Sequence, residues 1–175
     1  MTIEGAKTPA PGGDEPGRTL AGILRKLAAT PDRLRRLKML RACARLNTSW
    51  AEKVLWESLA DPCEEVRDGL VRELSGRASI RLDLAAARLA RPPWYARSAV
   101  LIVLARRKTR DALPLIASAV GDANADVRRS AARALGEIGG KEVVPLLIRL
   151  SKDPNPYVKS EAEAHLERVV ELKFC

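Results

Sequence analysis

Aromatic residues are scarce in this chain, with one Phe, two Tyr and three Trp among 175 residues. So few π-faces exclude a platform that stacks successive bases of a single-stranded nucleic acid. The single histidine, His165, has no second His and no Cys near it, which leaves nothing to build a metal centre or an imidazole acid–base pair. The three cysteines, Cys43, Cys63 and Cys175, contain no Cys-x-x-Cys pair. Cys43 sits among apolar helical neighbours and reads as a small buried thiol, whereas Cys175 ends the chain and reads as an exposed one. An odd count without a secretory leader fits a reducing compartment.

Glycine loops of the nucleotide-binding kinds and the Gly-x-Ser-x-Gly elbow are missing too. The longest apolar run, Ala99–Ala105, is far below the roughly 20 residues that cross a bilayer. The opening MTIEGAKTPAPGGDEPG lacks the apolar segment of a signal peptide. Carboxylates are plentiful, yet none stands out as a buried pair. The expectation is a non-catalytic, cytoplasmic protein with no cofactor, no metal, no membrane attachment and no small-molecule substrate.

What is abundant is Leu, Ala, Val and Ile together with Arg, Glu and Lys, the composition of closely packed helices. The few β-branched residues do not alternate with polar ones, so the fold class is all-α. Residues 1–17, rich in Pro and Gly and poor in large apolar side chains, cannot offset their ordering entropy and read as a disordered tail, with structure beginning near Arg18.

The remainder repeats. Asp61-Pro-Cys-Glu-Glu-Val66-Arg67, Arg91-Pro-Pro-Trp-Tyr-Ala96-Arg97, Asp122-Ala-Asn-Ala-Asp-Val127-Arg128 and Asp153-Pro-Asn-Pro-Tyr-Val158-Lys159 align, with their basic residues spaced by 30, 31 and 31 positions. A weaker copy, Thr30-Pro-Asp-Arg-Leu-Arg35-Arg36, precedes them. Each copy opens a helix, with Asp or Thr satisfying free N–H groups and Pro fitting a first turn. From Val127 the apolar stripe Val127, Ala131, Ala134, Leu135 and Ile138 has helical spacing, and Gly139-Gly140 ends it. A second helix lies between copies: 112–120 and 143–151 match, with Pro114 opposite Pro145 marking where each begins. Earlier partners are Leu20–Ala29, Trp50–Ala60 and Ile80–Ala90. The result is about five helical hairpins, near 18–47, 48–77, 78–108, 109–140 and 141–175. None can bury its apolar stripe alone, so they must stack.

These residues, above all Leu113-Pro114-Leu115-Ile116, Asp122…Val127-Arg128…Ala131-Ala132…Ala134-Leu135-Gly136 and Val144-Pro145-Leu146-Leu147, resemble HEAT repeats of the short bacterial kind found in phycobilisome lyases. The resemblance implies an α-solenoid whose second helices line a concave face. It also implies a structural ladder of Asp61, Asp122 and Asp153 with Arg67, Arg97, Arg128 and Lys159, interrupted where Arg91 stands in place of Asp. It does not carry lyase activity across, because fold is weak ground for function.

The formal charge is +9, placed unevenly: the tail is slightly acidic, 18–46 and 79–108 are strongly basic, 47–78 is acidic and the rest is balanced. On the second helices, one column of aligned positions holds Arg41, Arg72, Ile102, Arg133 and Ala164, and the next holds Arg45, Gly76, Arg106, Glu137 and Arg168. Arg129 lies beside them. Arginines at such intervals grip carboxylates or phosphates bidentately. Equally, they could serve solubility and helix pairing alone. Trp94 reads either as a plug in the inter-repeat core or, with Tyr95 and Ile102, as an aromatic–apolar anchor within a basic rim. Of Trp50 and Trp56, on opposite sides of one helix, at least one belongs in the core. The leading expectation is a scaffold that binds an acidic protein partner in its groove through Arg41, Arg45, Arg72, Tyr95, Ile102, Arg106, Arg129 and Arg133. The alternative is a nucleic-acid-binding HEAT-like protein whose concave arginines hold the DNA backbone, against which the acidic second repeat argues. A third possibility is a structural module docking through its basic first repeat, since Glu161, Glu163, Glu167, Arg168 and Glu171 resemble a polar cap at the other end.

Overall fold

The computed structural model describes residues 16–46 and 48–171, all of them helix, turn or irregular chain. Ten α-helices follow one another: α1 Pro16–Ala28, α2 Arg33–Ala44, α3 Ser49–Ser58, α4 Glu64–Gly76, α5 Leu82–Leu89, α6 Trp94–Arg107, α7 Leu113–Ser118, α8 Ala125–Ile138, α9 Val144–Leu150 and α10 Pro156–Glu171. The even helices pack in series, α2 on α4, α4 on α6, α6 on α8 and α8 on α10, while α1, α3 and α5 form a second layer behind them. This is an all-α solenoid of HEAT-like hairpins. Residues 1–15 and Cys175, for which a disordered tail and an exposed thiol were expected, lie outside the described residues.

Local chemistry explains the boundaries. Pro114 and Pro145 fall in the first turns of α7 and α9, where a missing N–H costs nothing. Gly139, at φ 66°, ends α8 in a backbone conformation that a side chain resists. Lys108 holds the equivalent position after α6 in the left-handed region, at φ 51°. The expected caps are displaced by two residues: Asn124 and Asn155, not the Asp before them, accept the first N–H groups of α8 and α10. Asp122 and Asp153 instead accept from the backbone N–H of those asparagines, in tight turns that leave their carboxylates aimed sideways.

Those carboxylates join the hairpins. Arg97 donates to Asp122 through Nε and Nη2 at 2.8 Å each, and Arg128 to Asp153 at 2.7 and 2.9 Å. The first repeat supplies a third such rung, Arg36 to Asp61 at 2.7 and 3.0 Å, which fixes Arg36 as the aligned residue. In two of the three rungs the arginine also binds its own turn: Nη1 of Arg36 donates to the carbonyls of Thr30 and Pro31, and Nη1 of Arg128 to those of Asp122 and Ala123. Rung side chains are only 7–18 % exposed, so these are planar, bidentate, shielded pairs.

The rung between the second and third repeats has no carboxylate. Arg67 keeps its turn carbonyls, Asp61 and Pro62, and lays its guanidinium over the Tyr95 ring, 4.5 Å from the centroid. Arg91, standing where the aspartate would be, turns to Glu57 at 2.6 Å. Buried Arg88 donates to the carbonyls of Arg91 and Pro92. Packing substitutes for the missing pair, because Ala99, Val100, Leu101, Val103, Leu104 and Ala105 of α6 are all buried. Trp56 is the buried tryptophan, its Nε1 donating to Glu52, which also accepts from the backbone of Arg81.

Removing a rung strands a shielded charge, so Asp153→Ala is expected to cost about 3 kcal/mol in urea unfolding. The hydrogen bonds from Arg128 hold the Asp153 carboxyl below the usual carboxylate range. At Asp122 burial pushes the carboxyl up, but Arg97, the Asn124 backbone N–H and Arg128 together outweigh it and hold the group below the usual range. Both contributions are complete above the unfolded carboxylate pKa, near 3.9, and are lost as pH falls from there through the lower folded values. Wild type should therefore destabilise across that acid window more steeply than Asp153→Ala. Lys108→Gly should gain about 1 kcal/mol in the same assay, since relief of a left-handed side-chain residue exceeds what the exposed Lys108–Glu137 pair supplies.

Candidate interaction face

The columns read from the sequence fall on the even helices, with Arg45 just past the end of α2. Arg41, Arg45, Arg72, Arg106, Arg129 and Arg133 are all exposed, and Ile102 is half-buried among them. Their electrostatic surroundings differ. Arg41 reaches Glu73 at 3.5 Å across the α2–α4 gap. Arg129 and Arg133 both reach Glu161 of α10, at 3.2 and 3.1 Å. Arg45, Arg72 and Arg106 have no ion pair among the described residues.

Two aromatic expectations change. Trp94 does not plug the core: it is 43 % exposed, because it is the first residue of α6 and lies ahead of the buried stripe that starts at Ala96. Tyr95 is half-buried, edge-on to Trp94, and held under Arg67 with its hydroxyl 3.4 Å from the Ala60 carbonyl. Its ring is thus already engaged within the fold. Cys43 is half-buried, and burial raises its thiol pKa.

Glu161, which the sequence presents as part of a polar cap, and His165 form the most elaborate polar cluster on this face. A cleft of about 420 Å³ between α8 and α10 is lined by Arg129, Arg133, Tyr157, Glu161, His165 and Arg168. Burial pushes the Glu161 carboxyl up, but the hydrogen bonds from Arg133 and Arg129 outweigh it and hold the group below its ordinary value. The His165 ring is 5 % exposed, with Nε2 3.5 Å from Glu161. It fits only because α8 has Gly136 opposite, where any Cβ would overlap the ring. Nothing within one helix signals this, because the fit depends on the spacing between two.

A further set of arginines closes the helix ends. Arg77 donates to the Ala44 carbonyl, and Arg107 to the carbonyls of Ser75, Arg77 and Ala78, each reaching back to the C-terminal end of the preceding even helix. They satisfy carbonyls that a helix leaves unpaired and sit favourably at its negative end. Among the described residues, no cluster of His, Cys, Asp or Glu is placed to hold a metal ion, and no helix is long and apolar enough to cross a membrane.

The fold and this face define a stacked helical-repeat protein. Residues 82–167, from α5 into α10, match the family model for HEAT repeats, and the first two hairpins continue the same stacking with the Arg36–Asp61 rung. Residues 82–167 are thus assigned to HEAT repeats, and such repeats commonly act as protein-interaction scaffolds. No curated protein matches the chain.

His165 is the one histidine, so its titration gives a single imidazole signal. Burial lowers its pKa most, Arg168 adds to that, and Glu161 and Glu137 oppose it. By NMR the midpoint is expected below 6.5. The associated stability is complete above about 6.5 and lost as pH falls through the folded value. A midpoint above 6.5 would show that Glu161, not burial, controls the ring.

Proposed function

We propose that the chain is a non-catalytic protein-interaction scaffold that holds an acidic segment of a partner against its even-helix face. Arg41, Arg45, Arg72, Arg106, Arg129 and Arg133 supply the charge, and Ile102, two turns after Tyr95 on α6, supplies apolar contact. The observation that supports this reading is the surplus of exposed guanidinium groups: Arg45 at the C-terminal end of α2, Arg72 on α4 and Arg106 on α6 have no ion pair among the described residues.

Stacked repeats present such groups at fixed spacing, so little ordering entropy opposes binding of an extended partner. A duplex fits less well. Glu65 and Asp68 are exposed on α4, and Asp126 and Glu137 on α8, so negative charge interrupts any long phosphate track.

Fluorescence anisotropy with labelled poly-glutamate and, in parallel, a labelled DNA duplex at low and moderate salt tests the reading. Poly-glutamate should bind the more tightly, with a salt-sensitive affinity reduced at least about tenfold in Arg41→Glu/Arg72→Glu. Tighter binding of the duplex, with a steep salt dependence that collapses in the same variant, would replace the protein partner with nucleic acid. Failure of both probes to bind would remove the face from consideration.

A further inference from the structure

The repeat itself shows what an arginine of this face takes as a ligand. Arg133 of α8 donates across the gap to Glu161 of α10: its Nε and Nη2 each lie 3.1 Å from a Glu161 carboxylate oxygen. Arg72 occupies in α4 the position that Arg133 occupies in α8, five residues after the ladder arginine in each case. The position equivalent to Glu161 on the next even helix, two residues after the ladder residue, is Ala99. Ala99 is buried and carries no acceptor, so Arg72 faces the same geometry with the carboxylate missing.

Asp68 stands on α4 where α8 has Arg129, and on the other side of Arg72 the surroundings fit an incoming acid. One turn beyond Arg72, Gly76 leaves open space where a side chain would stand, with nothing within 4 Å of a Cβ placed there. Arg106, in the aligned position on α6, is exposed and has no ion pair among the described residues. Ile102 lies between Ala99 and Arg106 on one face of α6, by the three-and-four spacing of helical neighbours. Even helices at ordinary packing distance stand about 8–10 Å apart, so a carboxylate over Ala99 comes within reach of guanidinium groups from both α4 and α6.

The geometry points to a glutamate subsite formed by Arg72 and Arg106 over Ala99 and Ile102, filled by a partner segment in which an acidic residue adjoins an apolar one. The subsite rests on the acidic-partner reading above and gives that reading a location. The carboxylate stands where Glu161 stands two repeats later, and the apolar neighbour covers Ile102. Glu161 takes the equivalent place beside Arg133 from within the chain, so a partner's acid enters the array at α4–α6 and not at α8–α10.

The test uses the full chain and a fluorescein-labelled hexapeptide of alternating Glu and Leu, with the Gln–Leu hexapeptide as the uncharged control. The Glu–Leu peptide should bind, the control should bind at least about tenfold more weakly, and Arg72→Gln or Arg106→Gln should each weaken Glu–Leu binding by about tenfold. Both residues are exposed and have no ion pair among the described residues, so these variants keep the fold. Ile102→Ala should reduce binding of both peptides. Glu161→Gln releases Arg129 and Arg133 and should create a second class of sites, raising the stoichiometry toward two. Equal binding by wild type, Arg72→Gln and Arg106→Gln would overturn the subsite and leave an acidic partner elsewhere on the face, which Arg41→Gln would then locate. Equal binding of the two peptides, or none by either, would overturn the subsite and the acidic-partner reading together.

Discussion

The bidentate pair between an arginine of one hairpin and the turn aspartate of the next sets the register of the whole array. A guanidinium is a rigid plane, and in the rungs of Arg36 and Arg128 it is used on two sides: two nitrogens on the next hairpin's carboxylate, the third on the carbonyls of its own turn. Such a joint tolerates neither slippage along the helix nor rotation about it. The aspartate is fixed in turn by accepting a backbone N–H two residues on. The even helices α4, α8 and α10 therefore each start at a set place relative to the one before, and side chains at equal distances from the rung fall into columns. The columns of the interaction face follow from the ladder.

Where the ladder lacks a carboxylate, the chain keeps its register by other means. Tyr95 takes up Arg67, Glu57 takes up Arg91, and α6 buries more of its surface than its neighbours do. A cation over a ring gives less directional control than a bidentate pair, and the close packing of α6 makes up the difference. This substitution also uses up the aromatic group that would otherwise serve recognition. The apolar contribution left on the face is Ile102, and the charged contributions nearest to it are Arg72 and Arg106.

Features encoded within a single helix or turn were legible from the sequence. The 31-residue recurrence gave the hairpins, Pro114 and Pro145 the starts of α7 and α9, and Gly139 the end of α8. Relations between helices were not. Whether Arg129 and Arg133 are free or paired depends on how far α8 stands from α10, and whether His165 is exposed depends on the absence of a side chain at Gly136. The aspartates were read as helix caps because capping is the common use of Asp before a helix; here an asparagine two residues later does that work and frees the carboxylate for the next repeat. The back-reaching Arg77 and Arg107 were missed for the same reason, since their acceptors lie some thirty residues earlier in the chain.

The uneven pairing of the face has a thermodynamic consequence for any anionic partner. An arginine already bound to Glu73 or Glu161 must surrender that partner before it can take another, so the exchange gains only the difference between two similar interactions. An arginine with no partner in the free chain gives up only hydration and side-chain freedom. The contribution of a guanidinium to recognition is therefore set less by its presence in the basic column than by what the neighbouring helix offers it beforehand. Net charge, which counts all these arginines alike, accounts for the attraction of an acidic segment at long range. The empty positions opposite Arg72 and Arg106 determine where on the array that segment comes to rest.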